Sequence, residues 1–314
     1  MSYEALLTRM ALHDERLVVI TSENRAAIRG LPSVRSIPLI DTGIAEQAAI
    51  GIAAGFALRG RIPVVHALAT FLTLRAFEFI RTDVGLPRLP VKLIGGVPGF
   101  LSEGNGPTHQ ALEDVALMRS IPNMQIFCPS DEADILSGLE EILITPDPCY
   151  IRFNALPAGT QHAPFRIGKA EVLSTGGDVT ILVYGMLLDQ ALEARDRMEA
   201  QGVSTGLINL RMIKPLDEEK IMQAAQQTSL LVTLEDHFLT GGLFSVVAEL
   251  LLKRQQPCNV LPIALMDRWF RPSRLDEILR HEGFTGEQIA EKIISTLNRR
   301  KTHAERSPVQ SILP

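Results

Sequence analysis

Two stretches of this 314-residue chain carry side chains suited to acid–base chemistry. In DTGIAEQAAIGIAAGFALRG, Asp41 to Gly60, Glu46 is the only charged residue between Ile44 and Leu58, in a helical segment made mostly of small and apolar side chains. Alanine and glycine let another backbone come close, so both faces of this helix are expected to be covered and the carboxylate to be buried. Burying a lone carboxylate costs several kcal/mol unless something pairs with it, which suits an acid–base residue. A first-turn glutamate that only complements the helix dipole gives the same pattern, and the residues alone leave both readings open. The second stretch, GGVPGFLSEGNGPTHQ from Gly95 to Gln110, is a glycine-rich loop that leaves a strand. It is expected to run into a helix with Thr108 as N-cap and His109 in the first turn. Such a loop brings backbone and an imidazole to a ligand, or it is a surface loop with an incidental histidine.

Two further features join them. Thr70, Phe71, Leu74 and Phe77 place apolar groups one turn apart on a helix, either as a core stripe or as walls for a flat ring. Arg152 is the one charge inside the apolar strand CYIRF. Strand ends in α/β sheets collect ligands, and an arginine there suits a phosphate or carboxylate; a salt-bridged structural arginine fits equally well.

These residues need a scaffold, and the pattern supplies one. Apolar runs of strand length alternate with helix-period segments, the signature of mostly parallel sheets covered by helices, an α/β fold of two doubly wound units. The first half reads as strands at 17–21, 62–68, 91–95, 124–128 and 149–153. Helices fit at 44–58, 71–82, 109–119 and 132–144, the last opened by Ser130 and Asp131. NALPAGTQHAPFR, Asn154 to Arg166, has no period and is the linker candidate. The second half reads as strands at 179–184, 203–209, 230–235 and 260–265, with helices near 189–200, 217–226 and 242–255. The polar end from Arg299 is expected to be a mobile tail.

Composition narrows the function. With 46% hydrophobic and 21% charged residues the chain is an ordinary globular protein. A formal net charge of −5 gives no general attraction for nucleic acid or anionic lipid, so neither is expected as a partner. No uncharged apolar stretch approaches the roughly 18 residues of a membrane span, and a cytoplasmic location is expected. Cys128, Cys149 and Cys258 form no CxxC pair and read as small apolar residues in strands.

Taken in order, these stretches resemble the C-terminal half of transketolase, in the group that also holds deoxyxylulose-phosphate synthase and the β subunits of 2-oxo acid dehydrogenases. The resemblance runs from about Thr21 to Ile293. DTGIAEQ, ATFLTLRAF, GNGPTHQALEDVALMRSIPNM and YIRF carry it in the first unit, NLRMIKPLD and LEDHFLTGGLFSVVAELL in the second. It implies a pyrimidine-binding domain at 1–160, a C-terminal domain at 168–300 and a tail at 301–314. It also implies thiamine diphosphate as cofactor and transfer of a two-carbon ketol unit between phosphorylated sugars. Glu46 then hydrogen-bonds the cofactor's pyrimidine, Phe71, Leu74 and Phe77 line the ring pocket, Asn105 and His109 contact substrate, and Arg152 holds a substrate phosphate.

Three departures qualify the match. Leu74 stands where an aromatic residue is usual, Val97 where transketolases have a further histidine, and Asn105 where an aspartate is common. The GDG motif that binds the divalent metal is absent from the sequence. No metal is therefore expected to be liganded here; magnesium is expected on a separate N-terminal-type subunit, in an α2β2 assembly with the cofactor bridging two chains. A 2-oxo acid dehydrogenase β subunit, a deoxyxylulose-phosphate synthase-like enzyme and a noncatalytic scaffold partner are the alternatives.

Overall fold

The computed structural model describes residues 1–34 and 36–306, with side chains through residue 300. The first half begins with α1 (Tyr3–His13), β1 (Leu17–Thr21), β2 (Leu39–Asp41), α2 (Glu46–Leu58) and β3 (Ile62–Leu68). Wide π turns at Phe71–Arg75 and Ile80–Gly85 follow, around the short α3 (Phe77–Phe79). Then come β4 (Lys92–Gly96), tight turns over Gly99–Thr108, α4 (Asp114–Arg119), β5 (Gln125–Phe127), α5 (Glu132–Leu143) and β6 (Cys149–Phe153). The second half holds β7 (Glu171–Ser174), β8 (Val179–Val183), α6 (Leu188–Glu199), β9 (Thr205–Asn209), β10 (Met212–Lys214) and α7 (Glu218–Gln227). It ends with β11 (Leu230–Phe238), α8 (Leu243–Lys253), β12 (Val260–Leu265), α9 (Leu275–Glu282) and α10 (Gly286–Arg306).

The strands form two sheets, ordered β10-β5-β6-β4-β3-β1-β2 and β12-β11-β8-β9-β7. Every pairing is parallel except β10 with β5 and β7 with β9. Helices cover both faces, which is why β1 (LVVIT) and β6 (CYIRF) are buried along their whole length and read as largely apolar runs. β10 belongs to the second half in sequence yet pairs with β5, Met212 opposite Phe127, so one chain segment stitches the two units together.

Several expectations change. Three strands, β2, β7 and β10, are only three or four residues long and were not anticipated, nor were α1, α9 and α10. The helix expected over 109–119 starts only at Asp114. Gly106 has φ +71° and Pro107 follows it, so the chain winds tight turns here, and His109 ends them rather than opening a helix. The polar segment after Arg299 is not irregular at its start, because α10 continues to Arg306; residues 307–314 of the expected tail lie outside the described residues. Cys128 and Cys149 are buried, whereas Cys258 is half-buried and precedes β12.

α2 is also covered on one face only. Ala49, Ala53, Ala54 and Ala57 are buried within the core. On the other side Ile44 is 72%, Ile52 38% and Leu58 70% exposed, and a side chain added at Gly51 or Gly55 would meet nothing within 4 Å. This chain leaves an apolar helix face open beside Glu46.

Candidate active site

Glu46 is the first residue of α2, where unpaired backbone N–H groups favour a carboxylate, and it is 2% exposed. Its Oε2 accepts a hydrogen bond from Arg75 Nη1 at 3.0 Å. Its Oε1 is engaged by no hydrogen bond among the described residues. The Arg75 guanidinium lies 4.2 Å from the centroid of the Phe71 ring, a cation–π stack. The Phe71 ring in turn meets the His109 imidazole edge-on, 5.1 Å between centroids. Glu46, Arg75, Phe71 and His109 thus form one continuous line of contacts across three segments that are far apart in sequence.

The wide turns set this line. π turns occur mainly as local bulges, often at functional sites, and here Phe71 and Arg75 bound one of them. Phe71 and Phe77 are half-buried, and Leu74 is 42% exposed. The stripe is therefore not a closed core, and the walls expected for a flat ring stand open.

Glycines hold the histidine loop in place. Gly99 has φ +56°, and a Cβ there would lie 1.7 Å from Asp236 Oδ2, so only glycine fits this approach of the loop to the second unit. Ser102 Oγ donates to the His109 carbonyl at 2.8 Å. The Thr108 hydroxyl lies 2.9 Å from His109 Nδ1, which orients the ring instead of capping a helix. Asn105 is exposed on the same loop, and its carbonyl accepts from Thr108 Oγ1 at 3.4 Å. No cluster of three or more metal-ligating side chains occurs among the described residues.

Arg152 is placed differently from what the resemblance implies. It is 2% exposed; its Nε donates to Asp114 Oδ2 at 2.9 Å and its Nη1 to Asp236 Oδ1 at 2.5 Å. Asp114 also accepts from the Tyr150 hydroxyl at 2.7 Å. A guanidinium surrounded by two buried carboxylates has no free face for a substrate phosphate, so the structural reading of Arg152 replaces the ligand-binding one. Sequence reasoning missed Arg75. Its signal was present, since Phe71 and Arg75 are four residues apart, the spacing at which helical neighbours meet.

Two mostly parallel-sheet α/β units bring a helix-start carboxylate, half-buried aromatic rings and a loop histidine together, and comparison with known proteins shows the family. Residues 2–156 match the transketolase pyrimidine binding domain and residues 168–289 the transketolase C-terminal domain. The chain belongs to the transketolase family. It is 34% identical over 293 residues to the 6-deoxy-6-sulfo-D-fructose transketolase subunit SqwH of Clostridium sp. (strain MSTE9), covering 92% of this chain and 91% of that one. It is 36% identical to the 1-deoxy-D-xylulose-5-phosphate synthase of Synechococcus sp. (strain JA-3-3Ab), spanning 91% of this chain but 45% of that protein. Among solved structures it is similar to a split gene transketolase described as an inactive beta4 tetramer, with a TM-score of 0.81, 31% identity, and coverage of 94% and 96% of the two chains. It is thus homologous to separately encoded C-terminal sections of transketolase.

Proposed function

We propose that this chain is the β subunit of a two-chain transketolase that moves a two-carbon ketol unit from a ketose to an aldose, active only with an N-terminal-type partner. The carrying observation is the buried Glu46 carboxylate, with one oxygen unpaired, beside half-open aromatic walls and the uncovered face of α2. The arrangement fits a flat heterocycle: a carboxyl group that can share a proton with a ring nitrogen at one edge and apolar surfaces on either side. Thiamine diphosphate, when bound, supplies the nucleophilic ring carbon and the electron sink that ketol transfer requires.

Glu46 holds the proton that the ring nitrogen takes up, while Arg75 fixes the carboxylate's other oxygen. Phe71, Leu74 and Phe77 set the plane of the ring and exclude water from it. His109, oriented by Thr108, passes a proton to and from the substrate oxygen, and Asn105 hydrogen-bonds a substrate hydroxyl. The working units are residues 1–160, for the pyrimidine, and 168–300. The partner supplies the magnesium ligands and covers Ile44, Ile52 and Leu58 in an α2β2 assembly in the cytoplasm. That the similar split gene transketolase is an inactive beta4 tetramer supports a need for a second kind of subunit. Among the described residues no helix is long and apolar enough to cross a membrane.

Co-expression with an N-terminal-type subunit tests this reading. Ketol transfer dependent on magnesium and thiamine diphosphate is expected from the pair and none from this chain alone; unaided turnover would refute it. Glu46→Ala should lower the pair's kcat/KM by about 10²- to 10⁴-fold, the range for a lost acid–base group, while the pair still co-purifies. A synthase-type reaction is the second reading, from the 36% relative, and its product would be a 1-deoxy-D-xylulose-5-phosphate-like sugar in place of a ketol-transfer product.

A further inference from the structure

A cavity of about 340 Å³ opens at the carboxyl ends of β1, β3, β4 and β6, the edge of an open α/β sheet where ligands collect. Glu46, Phe71, Phe77 and His109 do not line it, so it extends past the reacting residues. Val97 and Leu101, from the loop that leads to His109, form one wall. Two polar side chains in the lining, His66 and Asn24, keep free hydrogen-bonding capacity.

His66, near the end of β3, is 2% exposed. Its Nε2 lies 2.8 Å from the Tyr3 hydroxyl, and its Nδ1 meets no hydrogen-bond partner among the described residues. Burial lowers its pKa to about 4, so the ring is neutral at neutral pH. Nδ1 is then a donor or an acceptor according to which way the Tyr3 bond runs. A buried nitrogen left unpaired costs free energy, and a ligand group in the cavity supplies the missing partner.

Asn24 is held by its neighbours instead of by its own side chain. The Glu23 N–H donates to Asp41 Oδ1 at 3.3 Å and Arg25 Nε to Asp41 Oδ2 at 2.8 Å, so Asp41 clamps the chain on both sides of it. The Asn24 amide itself makes no hydrogen bond among the described residues. A Cβ at Gly96 would lie 2.9 Å from Asn24 Nδ2, so the glycine on β4 makes room for the amide at the cavity. Asn154, also in the lining, is already engaged: its amide donates to the Pro129 and Ser130 carbonyls and its oxygen accepts from the Leu156 N–H.

The free groups suit hydroxyls. A hydroxyl both donates and accepts, so it pairs with His66 Nδ1 in either tautomer and with either end of the Asn24 amide. The apolar wall of Val97, Leu101, Phe153 and Leu156 suits the C–H faces of the carbon chain that carries them. We propose that Asn24 and His66 are specificity-determining residues that bind hydroxyl groups of the sugar on carbons beyond those that react. The proposal rests on the transketolase reading above and adds two residues of this chain to Asn105 and His109.

Two measurements on the two-chain enzyme test it. With ribose 5-phosphate and its 2-deoxy and 3-deoxy forms as acceptors, loss of at least one hydroxyl should lower kcat/KM by about 10-fold or more, because a site built to bind a hydroxyl rejects the analogue that lacks it. Asn24→Ala and His66→Phe should each shrink that same ratio by about 3-fold or more. The ratio is the readout, since general damage to the fold slows both sugars alike. Adding Tyr3→Phe to His66→Phe removes the hydroxyl that would otherwise be stranded, and the double variant should keep the shrunken ratio. Ketol transfer indifferent to both deoxy forms, or a ratio unchanged in the variants, overturns the proposal and keeps the transketolase reading. Crystals of the complex soaked in erythritol, an open-chain polyol, should show hydroxyls at hydrogen-bond distance from the Asn24 amide and from His66 Nδ1; a cavity without the polyol overturns the proposal. Erythritol bound to both residues in a complex that performs no ketol transfer sinks the transketolase reading instead.

Discussion

Two arginines paired with buried carboxylates do different work in this molecule. At the site, Arg75 meets Glu46 at 3.0 Å with side-chain exposures of 42% and 3%. At the seam between the two sheets, Arg152 meets Asp114 at 2.9 Å and Asp236 at 2.5 Å, with exposures of 2%, 0% and 0%. At the half-open pair water competes for the arginine, and losing the contact costs about 1–3 kcal/mol because the Glu46 carboxylate is buried. The sealed one gains little over an apolar replacement, but breaking it strands a buried charge at about 3–5 kcal/mol. The difference is access: a ligand can replace water around Arg75, whereas nothing enters around Arg152.

The largest expected effect follows at the seam. Arg152→Ala should lower the free energy of unfolding by about 3–5 kcal/mol, read from urea midpoints, because Asp114 and Asp236 are then left facing each other in the core. Adding Asp236→Asn should recover part of the loss by removing one of the stranded charges. A loss of only about 1–3 kcal/mol would erase the contrast with the half-open pair.

A second sealed cluster sharpens the contrast through pH. In the linker, His162 places Nε2 2.8 Å from Asp131 and Nδ1 2.9 Å from Glu171, and Arg211 pairs with both Asp134 and Glu171. Burial pulls the His162 pKa down, but the hydrogen bonds its ring donates to Asp131 and Glu171 outweigh it and raise the value to about 10. Burial pushes Glu171 up, and the contacts with His162, the Ala163 N–H, Asn209 and Arg211 bring it down to about 2. A raised histidine stabilises fully below its ordinary 6.5 and loses that contribution as pH climbs to about 10. A lowered glutamate stabilises fully above its ordinary 4.5 and loses it as pH falls to about 2. Stability from this cluster should therefore be greatest between pH 4.5 and 6.5. Thermal melts across pH 5–10 should show an alkaline decline that His162→Gln flattens; an unchanged slope would detach the cluster from stability.

What the sequence disclosed follows the same division between local and long-range causes. β1, β3, β6 and β12 were legible because each is a mostly apolar, β-branched-rich run of strand length. β10 was not, since three residues, Met212 to Lys214, gain strand character only from β5, which lies more than 80 positions earlier in the chain. Glu46 was legible as a lone charge among alanines. Its partner was not, because Arg75 looks like an ordinary polar residue on a helix until the π turn brings it over Phe71. Arg152 remained two-sided for a related reason: a charge in an apolar strand signals a partner, and only the tertiary fold shows that the partners are Asp114 and Asp236.

The smallest effect belongs to the open pair, and it tests the comparison from the other side. Arg75→Ala should lower the unfolding free energy by about 1–3 kcal/mol, the cost of leaving the buried Glu46 carboxylate without its partner and less than the loss expected at Arg152. Its loss should still weaken the two-chain enzyme about 10-fold in kcat/KM, equivalent to about 1.4 kcal/mol, because the Glu46 carboxylate loses the group that fixes one of its oxygens. Arg75→Lys separates charge from shape: it keeps the cation but cannot stack flat on Phe71 or present a planar fork, so it should recover only part of the activity. A double-mutant cycle of Arg75→Ala with Phe71→Leu, read in kcat/KM, should show the two losses to be less than additive, since both remove one contact. If Arg75→Ala instead unfolds the chain as severely as Arg152→Ala, the pair is sealed within the assembled protein and Glu46 is held for stability, not poised for a ligand.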